Sequence, residues 1–317
     1  MSKKEFDVLV VGELNIDLIL NWIDGFPEMG KEKIADQMTL TLGSSSAIFA
    51  SNLSALGAKV AFLGKIGNDR FGDLVIDSLK DKGVDTGFII RDSKLATGAT
   101  IVLNYAEDRA MVTHPGAMNH LTIDDVTPEI LKQARHLHFS SFYLQPGIKD
   151  HVGFMFKRAK ELELTTSFDM QWDPAEKWEL DCKAVLPYVD VFLPNKQEII
   201  QLTRQINVRE ALWHLSSPNI VVVKLGDEGS YGMHKGREYR VPAFLNERVI
   251  DAIGAGDSFN AGFIFKYIQD APIEECMRFG NLIGAINTTA AGGTTAFTNP
   301  DEIMKIARER FAYREED

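Results

Sequence analysis

The sequence predicts an α/β protein with a mostly parallel central sheet and a small antiparallel sheet standing off it. Three observations carry that expectation. Short apolar runs recur along the chain, each long enough for one buried strand. Longer helix-patterned stretches lie between several of them, and strand–helix–strand alternation implies parallel strands joined by right-handed crossovers. Two other regions, 34–42 and 99–113, alternate more and carry charged residues at strand-like spacing, which suits a half-exposed antiparallel layer.

The first strand is expected at 8–11, Val-Leu-Val-Val, a run too short for the core of a signal sequence. Further strands are expected at 60–66, 136–139, 165–169, 191–193 and 220–224, and helices at 47–56, 71–82, 147–162 and 196–203. After Asp257 the pattern is helical, over 258–268 and 273–289, both apolar and rich in small residues, and over 300–310 before a charged tail. With no internal repeat and no low-complexity linker, residues 1–317 read as one domain. Its lid strands are drawn from about 13–43 and 97–115.

Composition narrows the function. Of 317 residues, 45% are hydrophobic, enough for one large core. A net charge of -11 gives no general attraction to phosphate backbones, so nucleic acid is not expected as a partner. No stretch approaches the roughly 20 apolar residues of a membrane span. Cys182 and Cys276 form no CxxC pair, and a reduced cytoplasmic setting is expected.

The most informative segment is Asp251-Ala252-Ile253-Gly254-Ala255-Gly256-Asp257. Its small residues let backbone approach a ligand closely, and a helix follows at once. The free amides and dipole of a helix start form an anion site. Asp257 stands at its mouth, where a carboxylate can take a proton from an attacking hydroxyl. Donors for spreading negative charge and a group that orients the nucleophile are the two parts that phosphoryl transfer needs. An Asp before a helix also serves as a plain cap, so this segment alone points only to phosphate binding.

Gly254-Ala255-Gly256-Asp257, preceded by Asp251, resembles the C-terminal signature of the ribokinase-like (PfkB-type) carbohydrate kinases, with Ala252 where Thr is usual. Other elements similar to the family's follow in order: Gly12-x-x-Asn15-x-Asp17, Gly64-x-x-Gly67-x-Asp69-x-Phe71-Gly72, Gly83-Val84-Asp85-Thr86, Thr97-Gly98, Gly116-Ala117-Met118-Asn119, Asn195-x-x-Glu198 and Lys224-Leu225-Gly226-x-x-Gly229. Several short motifs in the right order are far more specific than any one of them.

The resemblance implies a three-layer α/β/α ribokinase-like fold and ATP-dependent phosphorylation of a hydroxyl on a small sugar. It implies Asp257 as the base and the Gly254, Ala255, Gly256 and Asp257 amides as the anion hole. It places Asn15 and Asp17 on substrate hydroxyls, with Gly43 and Ser44 beside them. Lys224, Gly226, Gly229 and Asn281 fall near the nucleotide. Asn195 and Glu198 organise Mg2+ and phosphates, partly through water, although the same pair reads equally as a helix cap with a capping box. Asp251, the Ile253 carbonyl and Gly293 frame a monovalent cation site, K+ in some relatives. Lid strands pairing between chains would make a homodimer.

The chain also departs from the family pattern. Gly43-Ser44-Ser45-Ser46-Ala47-Ile48 stands where Gly-Gly-x-x-x-Asn is usual, so Ile48 replaces a substrate-binding amide. The 169–178 stretch resembles the segment in which fructokinase-like and ketodeoxygluconate-kinase-like members hold an Arg, and Asp173 stands in that neighbourhood instead. Two alternatives share the fold: a nucleoside kinase, with Phe26 and Tyr105 available to stack on a base, and a sugar-responsive binding protein without turnover. Two near misses are set aside. Gly25 to Glu32 mimics a P-loop but has Glu32 at the magnesium-binding position and Pro27 in the cradle. His136-x-His138 on an apolar strand reads as structural rather than metal-binding.

Overall fold

The computed structural model describes residues 4–105, 108–215 and 220–314; residues 106–107, inside the expected lid segment 99–113, lie outside the described residues. In chain order the strands are β1 (Phe6–Val11), β2 (Asn15–Ile23), β3 (Ala35–Leu42), β4 (Val60–Leu63), β5 (Lys65–Gly67), β6 (Ile90–Asp92) and β7 (Gly98–Tyr105). They continue with β8 (Asp108–His114), β9 (Ala134–Ser140), β10 (Thr165–Asp169), β11 (Val191–Phe192), β12 (Ile220–Lys224), β13 (Ser230–His234) and β14 (Arg237–Val241).

Among the described residues an eight-stranded sheet runs in the order β14-β13-β12-β11-β10-β9-β1-β4. It is parallel from β4 to β12 and closes with the antiparallel pairs β12–β13 and β13–β14. Alternate side chains on a strand face opposite ways, and here each set has its own core. Leu9, Val11, Leu137, Phe139 and Phe168 pack with Val152, Met155, Phe156, Ala211 and Leu212 from helices Val152–Glu161 and Val208–Leu215. Val8, Val10, Phe62 and Val222 pack with Phe49, Leu53, Val75, Phe263 and Met277 from the helices on the other face. Burial on both faces explains the unbroken Val-Leu-Val-Val of β1. The result is the three-layer α/β/α arrangement.

The smaller sheet has the order β3-β2-β7-β8. Its ladder aligns Leu18 with Leu40 and Ile101, and Ile101 with Val112, on one face. Asp17, Thr100, Val102, Met111 and Arg109 belong to the other. The first face is apolar yet open, with Met38 68% and Val112 67% exposed. The second covers the C-terminal edge of the large sheet, where ligands of open α/β sheets bind.

Several elements differ from expectation. The strand expected at 60–66 is two, β4 and β5, and β5 pairs separately with β6. At Gly64 between them, a Cβ would lie 2.8 Å from both Leu14 Cδ1 and Phe62 Cε1, so only glycine carries the chain across. The helix expected at 147–162 divides into Pro146–Lys149 and Val152–Glu161. His151 breaks it by donating its amide back three residues, to Ile148, at φ −111°. The β13–β14 hairpin was not foreseen. Both cysteines are free thiols, and no helix of the described residues is long and apolar enough to cross a membrane.

His136 and His138 are buried and tied into the sheet. His136 bonds Thr165 (2.8 Å) and Ser167 (2.7 Å), His138 bonds Ser167 (2.7 Å), and the His138 ring stacks on Phe49. They are structural, as the apolar strand pattern predicts. Burial lowers His136 to about 3 and His138 well below its usual value. Below about pH 6.5 the unfolded chain therefore binds protons that the folded chain refuses, so stability falls as pH falls. Each histidine contributes a slope of about 1.4 kcal/mol per pH unit. His138→Gln should lose one histidine's share of that slope in urea unfolding between about pH 6.5 and 4.5; an unchanged slope would contradict the assignment.

Candidate active site

A cavity of about 740 Å³ opens between the lid and the C-terminal edge of the parallel strands. At one end it is lined by Asp17, Ser44, Ser45, Ile48 and Arg109; at the other by Gly226, Gly229, Asn281 and Thr288; Lys224, Asn195, Glu198 and the turn 252–257 lie between. A second cavity of about 840 Å³ lies on the surface beside helix Val152–Glu161, where Lys149, Lys157 and Lys183 alternate with Asp150, Glu179 and Asp181. It contains none of the motif residues.

Helix Ala255–Tyr267 starts at Gly254, whose φ of 75° favours glycine. A Cβ there would meet Gly293 Cα at 2.8 Å. No side chain caps this helix, and its first turn opens on the cavity. The Ala255 amide is already turned back to the Ala252 carbonyl (3.2 Å). Asp257 is 7% exposed, and its Oδ1 accepts from Gln171 Nε2 at 2.9 Å. Burial, with the Asp169 carboxylate next in importance, pushes Asp257 up to about 8.

On the lid side Asn15 is buried behind Asp17. Its Nδ2 donates to Asp17 Oδ1 (3.0 Å) and Thr100 Oγ1 (3.0 Å), so it aims the carboxylate that lines the cavity. Asp17 rises to about 6, chiefly by burial. Gly43 makes room for this pair: a Cβ there would sit 2.7 Å from Asp17 Cγ and 2.8 Å from Asn15 Nδ2. Ser44 has φ 71°, a conformation a second glycine would hold at less strain. Its hydroxyl donates to the Glu13 carbonyl (2.7 Å) and accepts from Ala47 N (2.9 Å), capping helix Ser45–Ala55. Glu13, fully buried and also bonded by Ser46, is raised by desolvation. Ile48 is 4% exposed and packs on Gly254 and Gly293, so the wall beside the turn is apolar.

Asn195 caps helix Lys196–Thr203 and forms the full capping box with Glu198. Both still face the cavity, so the cap and the site are the same pair. Glu198, 2% exposed, rises to about 7 by burial and then by Asp169. Lys224 ends β12 and donates to Asp169 Oδ2 at 2.7 Å, beneath the turn at Gly256. Burial alone would lower its ammonium, but Asp169 first, then Glu198, more than offset this and hold it above its usual value. Asn281 Nδ2 donates to the Val241 and Pro242 carbonyls (3.1 and 3.0 Å), fixing the backbone at that end of the cavity.

The Asp251 loop is also assembled. Asp251 accepts from Ile253 N and Gly292 N (2.9 Å each), the Ile253 carbonyl from Asn287 Nδ2 (2.6 Å), and the Gly293 carbonyl from Asn52 Nδ2 (2.9 Å). Each of these oxygens already accepts from a protein donor, which fixes the loop. Asp173 points away from the cavity and accepts from the Ala175, Lys177 and Trp178 amides, holding its own loop. Phe26 and Tyr105 pack on each other with tilted rings, centroids 4.5 Å apart, and do not line the cavity. The P-loop look-alike is an exposed loop. Sequence reasoning missed Glu13, Asp169, Gln171, Asn260 and Arg109; Asp169, at the C-terminal end of a buried parallel strand, is the one whose position could have flagged it.

A family model described as pfkB family carbohydrate kinase matches residues 5–300. The chain belongs to the PfkB family of carbohydrate kinases. It is 33% identical over 235 residues to an uncharacterized sugar kinase of Archaeoglobus fulgidus, covering 74% of this chain and 92% of that one. It is 28% identical to fructokinase-1 of Zea mays, covering 83% and 87%. Arabidopsis thaliana ribokinase, solved with ribose and ATP, superposes with a TM-score of 0.82 at 22% identity, over 95% of this chain and 98% of that one; this likeness concerns the fold. As a PfkB-family member the protein is a phosphotransferase acting on a sugar-like substrate.

Proposed function

We propose that this kinase transfers the γ-phosphoryl group of ATP to a hydroxyl of a small sugar, with Asp257 as the base. One observation carries the reading: Asp257 and the uncapped start of helix Ala255–Tyr267 share a cavity with Asp17 and Ser44 of the lid side. The acceptor hydroxyl gives its proton to Asp257 while its oxygen bonds to the γ-phosphorus. The bond from that phosphorus to the bridging oxygen breaks, and ADP leaves. The Gly254–Asp257 turn and Lys224 face the charge that spreads over the transferring group. Asn15 holds Asp17, which with Ser44 binds sugar hydroxyls. Gly226, Gly229 and Asn281 border the nucleotide.

Among the described residues no group of three or more His, Cys, Asp or Glu side chains is placed to hold a metal ion by itself. That suits Mg2+, which keeps several waters and leans on substrate phosphates plus one or two carboxylates. Glu198, with Asn195, is the carboxylate so placed, and the ion would neutralise phosphate charge there. The nucleoside reading loses its base-stacking pair, since Phe26 and Tyr105 bind each other.

The test is ATP consumption with product detection over a panel of ketoses, aldoses, sugar acids and nucleosides. Stoichiometric ADP and sugar phosphate from at least one sugar is the expected result. Binding of sugars without any turnover would favour a sensor instead. The lid's open apolar face supports pairing of two chains through their lids. Met38→Lys with Val112→Lys should then convert a dimer to a monomer in sedimentation velocity; a wild-type monomer would refute this.

A further inference from the structure

Gln171 lies in the loop after β10 and forms part of the cavity wall. Its Nε2 donates to two carboxylates at once: Asp169 Oδ2 at 2.9 Å and Asp257 Oδ1 at 2.9 Å. The amide nitrogen, with its two hydrogens, is the atom between them. Asp169 is wholly buried and its Oδ2 also accepts from Lys224 Nζ (2.7 Å) and Asn260 Nδ2 (2.6 Å). Asn260 sits one turn beyond Asp257 on the same helix. Three chain segments are thereby joined at one carboxylate, and Gln171 carries the connection to the base.

The backbone is built to hold this side chain. Gln171 has φ 60°, a strained value for a non-glycine residue, of the kind that clusters at functional sites. Its amide is tied to Asp169 Oδ1 (3.3 Å). Downstream, Trp172 packs edge-on against Trp178 (4.9 Å), and Asp173 gathers three backbone amides. This loop has little freedom to carry Gln171 away.

We infer that Gln171 is a positioning residue for the base: it pins one oxygen of Asp257 and so leaves the other aimed at the acceptor hydroxyl. The inference rests on Asp257 being the base. A carboxylate held by one oxygen cannot rotate off the line of attack, and misplacement by about 1 Å can cost about 100-fold in rate. The bond also favours the ionised carboxylate, against burial and the Asp169 and Glu13 charges that oppose it, and alongside Lys224 and the Ser45 hydroxyl. Asp17, Glu198 and Asp227 are the other acids lining the same cavity.

Gln171→Met keeps the side chain's length and removes the donor. With the best acceptor, kcat should fall about 10- to 100-fold, the KM values for ATP and acceptor should stay within about twofold, and the acid limb of kcat/KM should move to higher pH. An unchanged kcat, or a raised KM with kcat intact, would overturn the inference. Carboxyl-carbon NMR of Asp-labelled protein, with Asp257→Asn to assign the signal, gives a readout that needs no turnover. The Asp257 midpoint should rise in Gln171→Met, and an unmoved midpoint refutes the bridge whatever the protein phosphorylates. If the midpoint rises but wild type turns over nothing, the bridge stands and the kinase reading falls. Unchanged thermal unfolding of the variant separates lost positioning from lost folding.

Discussion

Asp257→Asn is expected to abolish turnover, by about 10² to 10⁴ in kcat, while leaving ATP affinity unchanged. The cause is specific to proton transfer. An asparagine fits the same space and can still accept from Gln171 through its carbonyl oxygen. Its other atom is then an NH2 group, which presents hydrogens to the acceptor hydroxyl instead of a lone pair. Stability should move the opposite way. Asp257 is raised to about 8 when folded, against about 3.9 unfolded. Between those values the folded chain binds a proton that the unfolded chain does not, so wild-type stability from this group declines as pH rises. The neutral amide escapes that loss. The variant's Tm should equal the wild type's at about pH 4 and exceed it increasingly up to about pH 8, a trade of stability for function seen at many active sites. Retained turnover would remove Asp257 as the base; a lower Tm at every pH would mean that the carboxylate is needed for folding.

What could be read from the sequence follows the range of the interactions. The strand at 8–11 and the glycines around Asp257 are local patterns, and the structure places them where the pattern implies. The two readings of Asn195 and Glu198 turn out to be compatible, because a capping box points its side chains off the end of the helix, and that end faces the cavity. Ser44 shows why a glycine is usual there: the position has positive φ, and the hydroxyl earns its place by bonding Glu13. Gln171, Asp169 and Asn260 were invisible for a different reason. Their partners lie 86 and 91 residues away, and no spacing within one helix or strand encodes such a contact. The lone strand expected at 60–66 failed because a glycine inside an apolar run signals a bend only when its neighbours are known.

Lys224→Met carries the largest expected effect on stability. Asp169 is 0% exposed, and Lys224 is the cation paired with it at 2.7 Å. Taking away one partner of a buried pair leaves an uncompensated charge, which typically costs about 3–5 kcal/mol. For a chain of this size that is a Tm drop on the order of 10 °C. Gln171 and Asn260 still donate to Asp169, so part of the charge remains solvated by the protein and the loss should not be larger. Adding Asp169→Asn removes the orphaned charge, and the double variant should recover most of the lost stability, a coupling of about 2–3 kcal/mol in a double-mutant cycle. Activity should not return with it. The Lys224 ammonium lies 3.7 Å from where a Cβ on Gly256 would sit, directly under the turn proposed to face the transferring phosphoryl group. Neither asparagine nor methionine replaces that positive charge, nor the Asp169 carboxylate that holds Gln171. Additive stability losses in the cycle would show that the pair is not the energetic unit its geometry implies. Recovered kcat in the stable double variant would show that the charge beneath the anion turn does not act on the reaction.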